Sequence, residues 1–379
     1  MMRRAQSFEV RSSSPERVVA AFAAARADVP RSAAGIVFMS GALLDRQEAV
    51  GRLLSARRFG IPLLLVGGAG VLSERGELEA ESAATGLVWS GGRAEIGVID
   101  AGQRDEGLCE GLQGFLAGHG GRTAVALFVP PGGFTPRAVQ LLGQRNFGVP
   151  IFGGGALGEP GVIAIGAGGE LVTGRAVAMA MHDLGVPRVR TTHSCRLLAP
   201  LRPITRARGA LVLEVGGEPA LDALTRAGTG LSGQPLVFTV LARADAGAGD
   251  SRRELLVRGV QGVDPGARGL VVSDEAREGA WMTFGVCDGH AAQADLERLV
   301  RELYRDIAGA LPLCALYVNC SGRGQNLYGR ANVDTRILRE RFSDIPVAGV
   351  QSAFEIAPHG ETQSLQLYSG VLSLFTALS

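Results

Sequence analysis

Near its C-terminal end the chain reads Ala315-Leu-Tyr-Val-Asn-Cys-Ser-Gly-Arg-Gly324, then a helix-like stretch, then Asp344-Ile-Pro-Val-Ala-Gly349. The order is a short apolar strand, a loop of small residues, a helix, and a second apolar strand that starts at a proline and is left through glycine. The same order occurs twice more. Val125-Ala-Leu-Phe-Val-Pro-Pro-Gly-Gly133 leads through a helical stretch to Phe147-Gly-Val-Pro-Ile-Phe-Gly-Gly154. Gly35-Ile-Val-Phe-Met-Ser-Gly41 leads likewise to Phe59-Gly-Ile-Pro-Leu-Leu-Leu-Val-Gly-Gly68. A pattern that recurs along a chain fixes its architecture before any local detail does. It predicts duplication of one α/β unit, with Pro62, Pro150 and Pro346 at equivalent strand starts and Gly67, Gly153 and Gly349 near one another on superposition.

Short apolar strands joined through helices pair in parallel and are covered by those helices. Hairpin-like pairs follow the proline strands, such as Gly161 to Ala167 with Glu170 to His182, and Gln363 to Tyr368 with Gly370 to Thr376. The expected fold class is therefore α/β, with mixed β-sheets covered by helices and built from strand-helix-strand-hairpin units. Two domains are expected, 1–199 and 200–379. Thr135 before Pro136 marks a helix start, Asp45 is placed to cap another, and Asn332 or Asp334 starts a third. Leu296, Leu299, Val300, Leu303 and Ile307 fall on one stripe of a longer helix. Ala242 to Ser251 is an Ala/Gly/Asp loop expected to be mobile.

Among 379 residues the charges nearly cancel, at a formal +1, which argues against a broad nucleic-acid surface. Every basic residue is arginine. That excludes a Schiff base, a lysine general base and a P-loop lysine. The five cysteines, Cys109, Cys195, Cys287, Cys314 and Cys320, show no CxxC spacing. With no apolar leader and no apolar run long enough to span a bilayer, the expectation is a cytoplasmic protein with free thiols and no membrane insertion. Arg188, Arg190, Arg196, Arg202, Arg206 and Arg208 crowd Val186 to Gly209, a segment without an acid. A solvated strand face is the first reading of that run, and no nucleic-acid binding is expected.

Gly153-Gly-Gly-Ala-Leu-Gly158 satisfies GxGxxG, but Glu159-Pro160-Gly161 follows where a dinucleotide site needs a helix. It is read as a glycine turn, and no cofactor is expected. His182, Asp183, His193 and Cys195 lie close in sequence on hairpin and linker positions, and no metal site is expected there. The Cys320-Ser321-Gly322-Arg323-Gly324 loop is different. It lies beyond the C-terminal end of an apolar strand, where α/β ligand crevices open. Glycines on both sides of Arg323 let consecutive amides converge on an anion, and Arg323 can grip a carboxylate in two places. Its other reading is a tight loop whose arginine pairs with the helix or with Glu355. Cys320 is read as a packed thiol, since no fixed spacing to His appears and Asn326 breaks a Cys-x5-Arg pattern.

These C-terminal motifs, with Ile345-Pro-Val-Ala-Gly349, Phe354-Glu-Ile-Ala-Pro358 and Ile204-Thr-Arg-Ala-Arg-Gly-Ala-Leu-Val-Leu-Glu-Val-Gly-Gly-Glu-Pro-Ala-Leu-Asp222, resemble the FIST C module. The first half resembles the FIST N module, the FIST (F-box and intracellular signal transduction) domain pair covering roughly residues 30 to 376. Where the family usually has Gly-Glu-Ile, this chain has Phe354-Glu355-Ile356; the glutamate is kept and the glycine is not. The resemblance implies a small-ligand-binding sensory protein of signal transduction, without an output domain of its own, acting through a signalling partner in trans or a homo-oligomer. The expected ligand is an amino acid or small organic acid, held by Arg323 with the loop amides and by Glu355 opposite. Two alternatives stand beside it: an enzyme acting on a small carboxylate through Cys320, Arg323 and Glu355, and a ligand-free interaction scaffold.

Overall fold

A computed structural model of the chain describes residues 4–99, 105–120, 122–133, 135–231, 237–242, 255–307, 309–343 and 345–376. The chain packs as two compact units. The first takes Met1–Thr192, Asp295–Leu365 and Ser369–Ser379; the second takes His193–Ala294 and Gln366–Tyr368. The units therefore interleave along the chain, whereas the sequence reading divides it once, at residue 199.

The first unit begins with β1 (Ala5–Arg11), α1 (Pro15–Ala27), β2 (Ser32–Ser40), α2 (Gln47–Ala56), β3 (Leu63–Gly67), β4 (Gly70–Ser73), β5 (Gly76–Glu79) and β6 (Ala83–Ser90). The same order follows in β7 (Arg93–Ile99), α3 (Asp105–Leu116), β8 (Thr123–Val129), α4 (Pro136–Gly143), β9 (Ile151–Gly155), β10 (Val162–Ile165), β11 (Leu171–Val172) and β12 (Ala176–His182). A third round opens with β13 (Val186–His193) and is then interrupted by the second unit. That unit holds β14 (Cys195–Leu197), β15 (Arg202–Arg208), β16 (Leu211–Val215), β17 (Glu218–Pro219), α5 (Ala220–Ala227), β18 (Val237–Ala242), β19 (Leu256–Asp264), β20 (Gly269–Val272) and β21 (Trp281–Cys287). The third round resumes with α6 (Gly289–Asp306), β22 (Pro312–Cys320), α7 (Gln325–Tyr328), α8 (Val333–Arg341), β23 (Val347–Ser352), β24 (Glu355–His359), β25 (Thr362–Gln366) and β26 (Ser369–Thr376).

Three six-stranded sheets result, in the orders β1-β6-β2-β3-β10-β11, β7-β12-β8-β9-β24-β25 and β13-β26-β22-β23-β4-β5. Each centres on one parallel pair, β2 with β3, β8 with β9, or β22 with β23. Antiparallel neighbours flank these pairs, such as β6 beside β2, β12 beside β8 and β26 beside β22, so the sheets are mixed. Pro62, Pro150 and Pro346 do occupy equivalent strand starts. Their carbonyls accept hydrogen bonds from Gly35 N, Val125 N and Ala315 N at 3.1, 3.0 and 3.0 Å. The glycines are less regular. Gly153 faces Leu127 and Gly349 faces Tyr317, but Gly67 faces Met39 and so corresponds to Gly155, opposite Val129. Leu63-Leu-Leu-Val is a longer apolar run than Ile151-Phe, and it shifts the first glycine along.

The hairpins also differ from the sequence reading. β4–β5 joins the β22–β23 sheet, β10–β11 joins β2–β3, and β24–β25 joins β8–β9. Each round therefore lends its hairpin to another round's sheet, while its last strand, β6, β12 or β26, returns to its own. Strand alternation then sorts side chains to two faces. Ile36, Phe38, Leu64 and Val66 meet Ala126, Phe128 and Phe152, and Leu316, Val318 and Val350, in one shared core; the Phe38 and Phe128 rings lie 6.0 Å apart. The opposite faces pack under helices: Val37, Met39 and Leu65 under α1 and α2, Leu127 and Ile151 with Leu112 of α3, and Tyr317 and Leu374 with Leu299 of α6. Asp45 lies in a 3-10 turn, Gly41–Arg46, that runs straight into α2, so it caps nothing. Thr135 does cap α4, accepting from Ala138 N at 3.2 Å.

In the second unit β21, β15, β16, β20, β19 and β18 pair in turn, and β18 pairs back with β21, all antiparallel. The pairings close a ring around Ile204, Val212, Val215, Leu270, Met282 and Phe284. The Ala242 to Ser251 loop lies, past Ala242, outside the described residues. No helix among the described residues is long and apolar enough to cross a membrane.

Candidate functional site

At the end of β22, Cys320 stands opposite Ser352 of β23. Ser321 N donates to Ser352 O at 2.8 Å and Arg323 N to Cys320 O at 2.8 Å, which turns the chain sharply inward. Gly324 has φ +104°, and a Cβ there would lie 2.5 Å from the Glu79 carboxylate, so both conformation and space require glycine. Arg323 is carried to 1% exposure. A guanidinium so deep needs a counter-ion. Its Nε lies 2.6 Å from Oδ2 of Asp334 in the first turn of α8. Tyr317 Oη and Tyr328 Oη donate to the same carboxylate at 2.8 and 2.6 Å. Burial raises the Asp334 pKa, but the Arg323 charge and these donors outweigh it and hold the carboxyl below its usual range. Burial pushes the Tyr317 hydroxyl well above its usual range.

The β4–β5 hairpin brings two more carboxyls. Glu77 Oε1 accepts from Thr335 N at 2.9 Å and Thr335 Oγ1 at 3.3 Å. Its Oε2 is buried without a hydrogen-bond partner. Burial, then the neighbouring Asp334 charge, pushes Glu77 up to about 7. Glu79 accepts from Gln325 N at 3.1 Å.

Glu355 opens β24 with 0% exposure, receiving Ser369 Oγ at 2.6 Å and lying 3.0 Å from Ser352 Oγ. Burial pushes it up to about 8, although the serine hydroxyls favour the carboxylate. Ser352 has one hydroxyl proton but three acceptors around it, Phe354 O at 2.9 Å, Asn319 O at 3.3 Å and Glu355. A protonated Glu355 removes that conflict by donating to Ser352. The Phe354 ring, where the family pattern has glycine, fits against Gly155 of β9.

Cys320, Ser321, Gly322, Arg323 and Gly324 thus lie at the end of β22, and Glu355, from β24 of another sheet, reaches Ser352 opposite Cys320, with the Arg323 charge near enough to favour ionised Glu355. Ser321 and Gly322 are exposed; Cys320, Arg323 and Glu355 are buried. Cys320 Sγ accepts from Gly322 N at 3.4 Å. In the sequence Asp334 reads only as a helix start. A buried arginine between glycines calls for an acid, and the first turn of the next long helix was where to look.

A second feature lies in the second unit, where the sequence shows only an arginine run. A cavity of about 310 Å³ is walled by Leu198, Val215, Ala223, Met282 and Phe284, with Arg202, Arg226, Thr229 and Thr283 supplying polar atoms. Arg202 Nη1 lies 2.8 Å from Glu218, Nη2 donates to Gly216 O at 2.9 Å, and Arg226 binds the same Glu218 oxygen. Three more arginines of the run are paired: Arg190 with Asp306 and Arg196 with Asp288 at 3.0 Å, Arg206 with Glu214 at 3.1 Å. His182 meets His119 and Glu95 in the first unit, whereas Cys195 belongs to the second.

Residues 33–218 match the FIST N domain and residues 220–358 the FIST C domain; the chain belongs to the FIST family. It is similar to the uncharacterized protein MT0656 of Mycobacterium tuberculosis, 26% identical over 94% of each chain. It is also similar to the uncharacterized protein Mb0898c of Mycobacterium bovis, 25% identical over 95% of each. FIST domains are associated with signal transduction and ligand sensing.

Proposed function

We propose that this FIST protein senses an amino acid or small organic acid in the second-unit cavity and signals through a separate partner protein or a homo-oligomer. The observation that carries this reading is the cavity itself. Its volume of about 310 Å³ suits a small metabolite, and its apolar walls are interrupted by Thr229, Thr283 and two guanidiniums. Arg202 and Arg226 share one Glu218 carboxylate. A ligand carboxylate would take up the donors that Glu218 leaves unused, while its apolar part replaces water against Met282 and Phe284.

A thermal-shift screen of amino acids and small carboxylates on the intact chain, followed by calorimetry, tests it. A ligand that binds only the native state raises the melting temperature. Removing one charge-assisted contact is expected to weaken binding about 10- to 150-fold, so Arg202→Ala and Arg226→Ala should abolish the shift and Glu355→Gln should not. The reverse pattern would favour a second reading, in which the Cys320–Gly324 loop holds the ligand and Glu355 receives its amine. What supports that second reading is the surplus of buried carboxyls, Glu77, Asp334 and Glu355, around Arg323. No shift with any member of either class would remove the sensor reading for these ligands.

A further inference from the structure

On the helix-covered face of the β7–β12 sheet, three side chains point at one spot. Glu95 pairs with Ala180 and Arg93 with His182 across β7 and β12, so Glu95 and His182 share a face. His119 follows α3, its N–H bonded to Leu116 O at 2.9 Å, and its ring centroid lies 4.6 Å from that of His182. The Nε2 atoms of both histidines are buried without hydrogen-bond partners. Each lies 3.8 Å from a different oxygen of Glu95, and the three ligand atoms all fall within 4.8 Å of one another.

The neighbouring hydrogen bonds fix what His182 presents. Thr123 Oγ1 donates its one proton to Gly120 O at 3.0 Å. It can therefore only accept from His182 Nδ1, 2.9 Å away. Nδ1 carries the hydrogen, and Nε2 of neutral His182 turns a lone pair toward Glu95. A lone pair then faces a carboxylate oxygen at 3.8 Å, too far for a hydrogen bond and close enough for metal bonds of about 2.0–2.2 Å to meet at one ion. A second-shell group that orients a histidine through its other nitrogen is the usual companion of such a ligand. Glu95 is 40% exposed in its side chain, which leaves an approach from solvent. Arg93 binds Glu95 Oε1 at 2.7 Å and would have to swing aside or leave Oε2 to the ion; Arg122 and Asp183, paired at 2.9 Å, neutralise each other nearby.

The geometry points to a site for one divalent first-row transition ion of the zinc class, held by Glu95, His119 and His182 with Thr123 orienting His182. Two imidazoles and one carboxylate select such ions over calcium or magnesium. The intact chain, freed of metal by chelator, is titrated with Zn²⁺ by calorimetry, and with Co²⁺ followed by visible absorption. One equivalent should bind, with a cobalt spectrum free of thiolate charge-transfer bands. His119→Gln, His182→Gln and Glu95→Gln should each lose it, while Thr123→Val should weaken it about 10- to 100-fold. Thiolate bands, or full Zn²⁺ affinity in the two histidine variants, would overturn the assignment, Cys195 and Cys287 being cross-strand neighbours. So would the absence of one-equivalent binding by the unsubstituted chain, a result that needs no variant to fold.

Discussion

At the scale of the residue, Glu355 shows how burial turns a side chain into a pH-dependent element. Its carboxyl is fully buried and pushed up to about 8, against an unfolded value near 4.5. Between those values the folded state holds a proton that the unfolded chain has released. Stability from this group is therefore complete below about pH 4.5 and lost as pH rises through about 8, by at most about 1.4 kcal/mol per pH unit. Glu77, pushed up to about 7, adds in the same direction. Glu355→Gln should match the unsubstituted chain below pH 4.5, exceed its stability near pH 8.5, and show a flatter profile between. Denaturant titrations at half-unit pH steps check this; parallel profiles would mean that Glu355 ionises freely in the fold.

At the scale of the element, the clearest device is the fastening of α8 to the end of β22. Arg323 descends from the loop and Asp334 from the helix, and Tyr317 of β22 and Tyr328 of α7 close over the pair. Removing one partner leaves a buried charge uncompensated. Asp334→Ala is expected to cost about 3–5 kcal/mol, and Arg323→Leu a similar amount. Arg323→Leu combined with Asp334→Leu should recover most of that loss, because the double variant strands neither charge. Equilibrium unfolding of the three variants decides it; additive losses in the double variant would show that packing, rather than charge, sets the cost.

At the scale of the molecule, two facts organise the chain. Three sheets share one apolar core and exchange their hairpins, so no round of the pattern completes its sheet alone. The ring of the second unit is instead an insertion whose ends meet: Asp288 N donates to Ser194 O at 3.0 Å, and Cys195 pairs with Cys287. Insertions with adjoining ends are the segments most readily excised. A fragment of residues 194–288 is expected to melt cooperatively on its own and to keep the ligand affinity of the intact chain. A fragment that folds but loses that affinity would move the ligand out of the cavity; one that fails to fold would show that the ring depends on the rest of the chain.

The strand-helix-strand order, the proline starts and the helix stripe of Leu296, Leu299 and Leu303 were legible in the sequence. Each depends on residues a few positions apart, whose periodicity and backbone restrictions act wherever the chain is placed. The loop at Cys320–Gly324 was legible for the same reason, since paired glycines around a charge mark a turn locally. Three things were not legible: which sheet receives each hairpin, that Asp334 answers Arg323, and that His119, His182 and Glu95 converge. Hairpin pairing is decided by which exposed strand edge the folded core leaves open. Ion pairs and histidine clusters are decided by distance in space, and residues far apart in sequence leave no local periodicity behind. The sequence determined the elements and their faces, and the tertiary structure alone decided which faces and charges meet.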